Sequence, residues 1–443
     1  MQDSDSENTL LRAEFHSSVA KRKLEVQLDP QSPPHTNVKM SHDKFSKIQK
    51  LPILFCILAV LLFKTQSCAA QHPEEPWIAS SELAERWNRH INREGKTIEY
   101  FERMSKLYGP LNFVESKVPE YSLPDPLIFD DATPVTSADE WYNKRQPELM
   151  NAFRTYMYGR RPKFHYTLRF EKEEELTDAF NGAATARNMK AIVSIGDREF
   201  SFPFVVFIPN KVDKPVPAVV HIKFWHVSIE NNIDEPDETY SIWPVKKLIE
   251  RDYATESFFY ENVEPDNKEG FVKGIRGFLA ESKTPPQDAW GSLSAWAWGA
   301  SRVLDYLESL DSVDTSRTAV SGHSRLGTAA LWAACEDNRF AVVYSNCSGS
   351  TGAAITRRQF GLHARLSFGE FPLWYSSVFF DPFLQGQELP FDQHELIALI
   401  APRGVYVSSA DRDLAADPKG EYTSLVEAAP VFRLFAKGMC RRT

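Results

Sequence analysis

The residues best placed to do chemistry fall in TAVSGHSRLGTAALW, residues 318–332. TAVSG (318–322) reads as a short strand and SRLGTAALWAACE (324–336) as a helix, which leaves Ser324 on an abrupt corner between them. A serine on such a corner projects its Oγ out of the sheet. The backbone N–H after it points from the start of a helix, where an oxyanion can be held. Gly322 permits the turn, and Gly327 lets the helix pack closely on the sheet. The spacing is Gly-x-Ser-x-x-Gly, so the second glycine of the usual Gly-x-Ser-x-Gly pattern is displaced and Leu326 stands in its place. A bare match is weak, because a serine that merely caps a helix after a strand satisfies it too. The strand before, the helix after and Arg325 beside the serine favour a nucleophile.

A corner of this kind needs a sheet under it. NMKAIVSI (188–195) and SFPFVVFIPN (201–210) read as paired strands, and VPAVVHIKF (216–224) is a nearly continuous apolar run suited to a strand buried on both faces. DYATESFFYE is strand-like, DAWGSLSAWAWGASRVLDYLESL (288–310) is a long amphipathic helix, and AVVYSN (341–346) and GVYVSS (404–409) are short buried strands with ELIALIAP between them. Strands alternating with helices predict an α/β protein: a mostly parallel central sheet in a three-layer αβα sandwich. No repeat or linker divides residues 125–443, so 126–443 reads as one catalytic-type domain.

With 443 residues, 42% of them hydrophobic and 25% charged, the chain has material for a large core, which excludes a disordered or fibrous protein. A net charge of −9 without a basic stripe argues against nucleic acid as a partner. The five cysteines show no CxxC and no His/Cys ligand spacing, so no metal site and no cofactor are expected. The exported part has room for one bridge, for which Cys335 and Cys347 are the nearer pair, and a free thiol. Residues 1–50 are polar and aperiodic and read as a disordered extension. The thirteen apolar residues LPILFCILAVLLF (51–63) follow Lys44, Lys47 and Lys50 and precede small residues, a pattern for a signal-peptide core within 51–70, with Met40 as a plausible start. A signal anchor is the competing reading. The chain is therefore expected to be exported, periplasmic, extracellular or membrane-anchored on the outer side. It would touch a membrane only through 51–63 if that segment is uncleaved, and a monomer is expected. Residues 71–125, including SSELAERWNRHI and TIEYFERMSKLY, read as a helical and loop lead-in.

Long stretches carry a family resemblance. GFVKGIRGFL, DAWGSLSAWAWGASRVLDYLES, VDTSRTAVSGHSRLGTAALWAACEDNRFA, SNCSGSTGAAITRR, LPFDQHELIALIAPR and ADPKGE are similar to the glucuronoyl esterases of plant cell-wall degradation, especially the bacterial members. The resemblance implies an α/β-hydrolase fold and a serine mechanism that cleaves esters of (4-O-methyl-)glucuronic acid in xylan–lignin material, so the partner would be a uronic-acid-containing polysaccharide or its esters. It implies Ser324 as nucleophile and Arg325 as a charged oxyanion donor beside the backbone amides. The acid orienting the general base would be Asp413, in the loop after GVYVSS, with Asp411 second. Other members place a glutamate two residues after the strand VVYS, where this chain has Cys347.

Several positions depart from the family. Thr328 replaces a substrate-binding lysine, Leu362 a glutamate and Ala415 a tryptophan that packs on the sugar, so affinity for glucuronate loses polar and stacking contacts. The resemblance places the catalytic histidine after the acid, yet no histidine follows His394. His323 should diverge from Ser324 on the elbow, His226 follows a buried strand, His394 opens a helix, and His221 and His363 are weaker substitutes. The sequence shows neither the last strand nor the last helix of an α/β hydrolase, and GMCRRT reads as the product of a frameshift or premature stop. The expectation is an exported serine ester hydrolase, weak or inactive as this chain. The alternative is a non-catalytic carbohydrate-binding or vestigial relative.

Overall fold

The computed structural model describes residues 112–233, 243–280, 285–364, 367, 371–379, 381–384, 387–411 and 413–439. The polar extension, the apolar segment 51–63 and the helical patterns at 80–91 and 97–108 lie outside these residues. Among the described residues no helix is long and apolar enough to cross a membrane.

The eight strands β1 (Thr167–Asp178), β2 (Ala184–Ile195), β3 (Arg198–Pro209), β4 (Val216–Lys223), β5 (Ala254–Phe259), β6 (Val313–His323), β7 (Val342–Asn346) and β8 (Gly404–Ser408) form one sheet in the order β1-β2-β3-β5-β4-β6-β7-β8. From β5 through β4, β6, β7 to β8 every neighbour is parallel, while β1, β2 and β3 make an antiparallel wing joined to β5. The principal helices are α1 (Gln146–Tyr156), α2 (Val245–Ile249), α3 (Ser292–Leu307), α4 (Arg325–Glu336), α5 (Gln393–Ala398) and α6 (Pro418–Met439).

Strand periodicity explains why both faces are covered. Along β3, Phe202, Phe204, Val206 and Ile208 join the main core with Trp298 of α3, whereas Val205 and Phe207 join a second cluster with Trp243 and with Val245 and Ile249 of α2. The long helix expected over 288–310 is α3, but all of it is buried except Arg302 and Asp305, so it is covered on nearly every side rather than amphipathic. The α/β-hydrolase architecture is therefore present, with a mostly parallel sheet flanked by helices. Two elements carry little sequence signal. β1 is rich in Glu and Lys and mostly exposed, as befits an edge strand that must not pair with other chains. α6 is a 22-residue helix containing Pro430, and the sequence gives no clean start or stop for it. At the other edge, Tyr406 of β8 is 60% exposed.

Residues at the end of the lead-in are joined to the domain. Phe113 packs on Phe360 and Leu414, and Glu115 pairs with Arg358 at 2.7 Å and Lys419 at 2.6 Å. The expected Cys335–Cys347 bridge does not form: both thiols are free and buried. Cys335 ends α4 while Cys347 follows β7, so the five residues of β7, about 17 Å of strand, separate them.

One buried charge is out of place in this core. Glu256, in the middle of β5 between Val206 and Val220, is fully buried with neither carboxylate oxygen hydrogen-bonded. Burial first, and the nearby Asp305 second, hold its pKa well above the ordinary 4.5. A raised folded-state pKa means its contribution is most favourable below the unfolded value and is lost as pH climbs through the folded one. Glu256→Met should stabilise the protein by about 1–2 kcal/mol at pH 7. Thermal unfolding followed from acid to neutral pH should show this gain widening with pH and falling in acid to the smaller cost of a buried, unbonded neutral carboxyl.

Candidate active site

Ser324 occupies the backbone region that sequence reading required of it, with φ 55° and ψ −131°. A non-glycine residue there costs about 1–3 kcal/mol, so its surroundings must hold it. Its N–H donates to the Asn346 carbonyl at the end of β7 (2.8 Å), and its own carbonyl accepts from Gly327 N–H (2.8 Å) and Thr328 N–H (3.1 Å). No side chain caps α4 at Ser324, which leaves first-turn amides without intrahelical partners beside the serine. Among the described residues no side chain hydrogen-bonds Ser324 Oγ.

The two glycines play unequal parts. A Cβ on Gly322 would lie 2.2 Å from the Leu326 carbonyl oxygen, so only glycine lets the strand end pass under the helix start. A Cβ on Gly327 would meet Ser345 Oγ at 3.0 Å and Gly322 O at 3.1 Å. The displaced second glycine therefore still serves close approach, one residue later than the common spacing, and Leu326 points into the core.

Arg325 leaves the same corner and lies in an aromatic cage. Its guanidinium sits 4.6 Å from the Trp374 ring centroid, 5.3 Å from Phe371 and 5.8 Å from Phe224. One amino group pairs with the buried Asp266. Asp266 also accepts from the Trp374 indole N–H (2.7 Å), and the Tyr260 hydroxyl stands 3.3 Å away. Asp266, Tyr260, Phe371 and Trp374 were invisible to sequence reasoning; the one cue is that Asp266 precedes the matched stretch GFVKGIRGFL.

Asp413 is brought to the same end of the sheet. Its carboxyl lies against the Cys347 thiol and within electrostatic reach of His323, the residue before Ser324. Burial raises the Asp413 pKa, opposed by the Ala416 amide and by His323. Burial likewise lowers His323 and pushes the Cys347 thiol up to about 11. Asp411 is exposed in the same loop. Behind them Glu421, from ADPKGE, accepts from Gly349 N–H (3.0 Å) and Ser348 Oγ (3.3 Å) and is bonded by Ser409. Burial raises it to about 7.

His323, His221, His394 and His226 each have other neighbours. His323 packs on Phe224, at 6.1 Å between centroids. His221 Nδ1 bonds Ser321 Oγ (2.9 Å), His394 Nε2 donates to the Pro124 carbonyl (2.8 Å), and His226 is exposed against Phe259. Among the described residues none hydrogen-bonds Ser324 or Asp413. Of the positions where the resemblance expects substrate contacts, Thr328 is buried and turned to the Ser348 carbonyl (3.3 Å). Leu362 and Ala415 are neighbours, with Leu362 N–H donating to the Ala415 carbonyl (2.9 Å). Among the described residues no His, Cys, Asp and Glu cluster could hold a metal ion.

A strained serine between a parallel strand and a helix, with free amides and an arginine beside it, defines the α/β-hydrolase class. Comparison with known proteins narrows this. A family model described as "Glucuronyl esterase, fungi" matches residues 285–436. Carbohydrate esterase MZ0003, from an unknown prokaryotic organism, is 34% identical over 356 residues, 74% of this chain and 82% of its own length. The 4-O-methyl-glucuronoyl methylesterase of Schizophyllum commune is 28% identical over 305 residues, 66% of this chain and 68% of its own. A solved glucuronoyl esterase from Solibacter usitatus superposes with a TM-score of 0.66 at 33% identity, covering 73% of this chain and 88% of that one. The chain belongs to the glucuronoyl esterase family.

The steric argument at the corner is directly testable. Gly322→Ala should destabilise by about 3 kcal/mol or more, since backbone rather than a side chain must move. Gly327→Ala, facing a rotatable serine hydroxyl, should cost less than half as much in the same urea titration.

Proposed function

We propose that this protein is an exported serine ester hydrolase acting on esters of glucuronic acid, the substrate class of the family, within plant cell-wall polysaccharide. The observation that carries the reading is the strained Ser324, its Oγ without a hydrogen bond among the described residues, beside the first-turn amides of α4 and the caged guanidinium of Arg325. In the proposed reaction Ser324 Oγ attacks the ester carbonyl, and the oxyanion is held by backbone N–H groups and Arg325. The alcohol then leaves with a proton, and water hydrolyses the acyl-enzyme. Asp413 would orient the base that accepts the Oγ proton. Among the described residues no histidine is bonded to either group, so the proton passes to solvent and turnover is slow. Loss of one triad member leaves about 10³–10⁴-fold acceleration over water, supplied by the oxyanion site and binding.

Export is supported by the basic residues before the apolar run at 51–63 and the small residues after it. N-terminal sequencing of secreted material would find a start near residue 70 if the segment is cleaved.

A second reading, a non-catalytic carbohydrate-binding relative, is favoured by Thr328, Leu362 and Ala415 at positions where the resemblance expects substrate contacts. Hydrolysis of methyl 4-O-methyl-glucuronate separates the two. The esterase reading expects slow turnover that Ser324→Ala reduces to the uncatalysed rate, whereas identical rates in both proteins would leave only the binding reading.

A further inference from the structure

We infer that Asp266 is a positioning residue: it aims the Arg325 guanidinium at the Ser324 corner. This rests on the reading of Arg325 as an oxyanion donor. An arginine side chain carries large rotamer entropy, so an arginine free in solvent would have to be ordered at the moment charge develops. Here the ordering is already done. One guanidinium edge faces Asp266, and its plane lies against Trp374 and Phe371, which are themselves stacked at 4.1 Å with 8° between planes. The Nε–H is buried and has no partner among the described residues. The guanidinium is thus held in one orientation while the side chain stays 25% exposed.

Asp266 can do this because it is itself fixed from behind. Two residues earlier, Glu264 is buried in an ion pair with Arg276, and Ser292 Oγ stands 2.9 Å from its carboxylate. Arg276 also donates to the Trp290 carbonyl (2.9 Å) and Ser292 Oγ (3.1 Å), and the Trp296 indole donates to the Glu264 carbonyl (2.9 Å). The turn that carries Trp374 rests on the start of α3, where a Cβ on Gly291 would lie 2.1 Å from the Trp374 carbonyl oxygen. Ser292 Oγ lies 3.0 Å from the neighbouring Leu373 carbonyl. The Asp266 loop and the Trp374 turn thus share one support, the first turn of α3. Tyr260 completes the grip, its hydroxyl 3.3 Å from Asp266 and 3.0 Å from Glu261. Burial and then Asp266 raise its pKa, so it keeps the proton it donates.

The test uses the full chain labelled with ¹⁵N. The Arg325 Nε–H resonance is assigned by its loss in Arg325→Lys, and the Trp374 indole resonance by its loss in Trp374→Phe. In the wild type both should be sharp and protected from exchange. Asp266→Asn keeps shape but removes charge; it should broaden the Arg325 resonance and shift the indole, and Asp266→Glu should restore both in part. Phenylboronic acid probes the consequence. Ser324 Oγ forms a bond to boron as its proton goes to solvent, giving a tetrahedral anion at the oxyanion position. Its affinity should fall by about 10-fold or more in Asp266→Asn and recover in Asp266→Glu, with thermal unfolding of the Asn variant confirming a folded chain. Unchanged Arg325 resonances in Asp266→Asn would overturn the inference. If wild type and Ser324→Ala bind the boronate equally, the serine reading fails instead, and the spectrum still decides whether Asp266 orders Arg325.

Discussion

The structure depends on one unfavourable backbone conformation that its neighbours hold in place. Ser324 stays at positive φ because its N–H is fixed to the Asn346 carbonyl, its carbonyl accepts from two amides of α4, and β6 and α4 approach more closely than any side chain at 322 would permit. Each contact runs to a different element: β7, the first turn of α4, and the end of β6. The strain of about 1–3 kcal/mol is therefore spread across a buried three-way junction that cannot relax piecemeal. The geometry also explains the displaced glycine. What the corner needs is space between the helix and the β6–β7 strands. That space is required one residue later here, where Gly327 faces Ser345.

A second layer extends from this corner through charge. Two ion pairs, Arg325 with Asp266 and Arg276 with Glu264, lie along a path from the serine to the start of α3, and every member is wholly or largely buried. Buried ions are costly unless paired and hydrogen-bonded, and here each carboxylate has neutral donors as well as a cation: the Trp374 indole for Asp266 and Ser292 for Glu264. Glu256 shows the contrast. Burial raises both carboxyls, but at Glu264 the rise is opposed by Arg276 and Ser292, whereas at Glu256, with no hydrogen-bond partner among the described residues, nothing opposes it and the group gives up its charge.

How much of this could be read from the sequence follows from the range of the interactions. The strands β2 to β8, the helices α3 and α4, and the corner at Ser324 follow from local pattern, because periodicity and glycine placement report on residues a few positions apart. Asp266 and Trp374 are separated by 108 positions yet share a hydrogen bond, and no local signal encodes that meeting. β1 escaped because its outward charges mask its period, and α6 because Pro430 interrupts a pattern held in place by tertiary packing. The Cys335–Cys347 pairing failed for the converse reason. Nearness in sequence was taken for nearness in space, and a strand separates them.

Two of the positions where the resemblance expects substrate contacts, 362 and 415, lie off this framework, whereas Thr328 belongs to it through its N–H to the Ser324 carbonyl. Leu362 is 37% exposed, and Ala415 sits in a short 3-10 turn whose backbone carbonyl, not its side chain, meets Leu362. Replacing either does not disturb the junction at Ser324 or the charge path behind Arg325. Cys347 is different: it is buried against Asp413 and takes positive φ just past the strand that anchors Ser324. A carboxylate there would stand beside two others, Asp413 and Glu421, in a site that already raises both. A thiol, held protonated by the same burial, fills the space without adding a third charge. Residue 347 and Asp413 thus share one buried pocket beside Glu421.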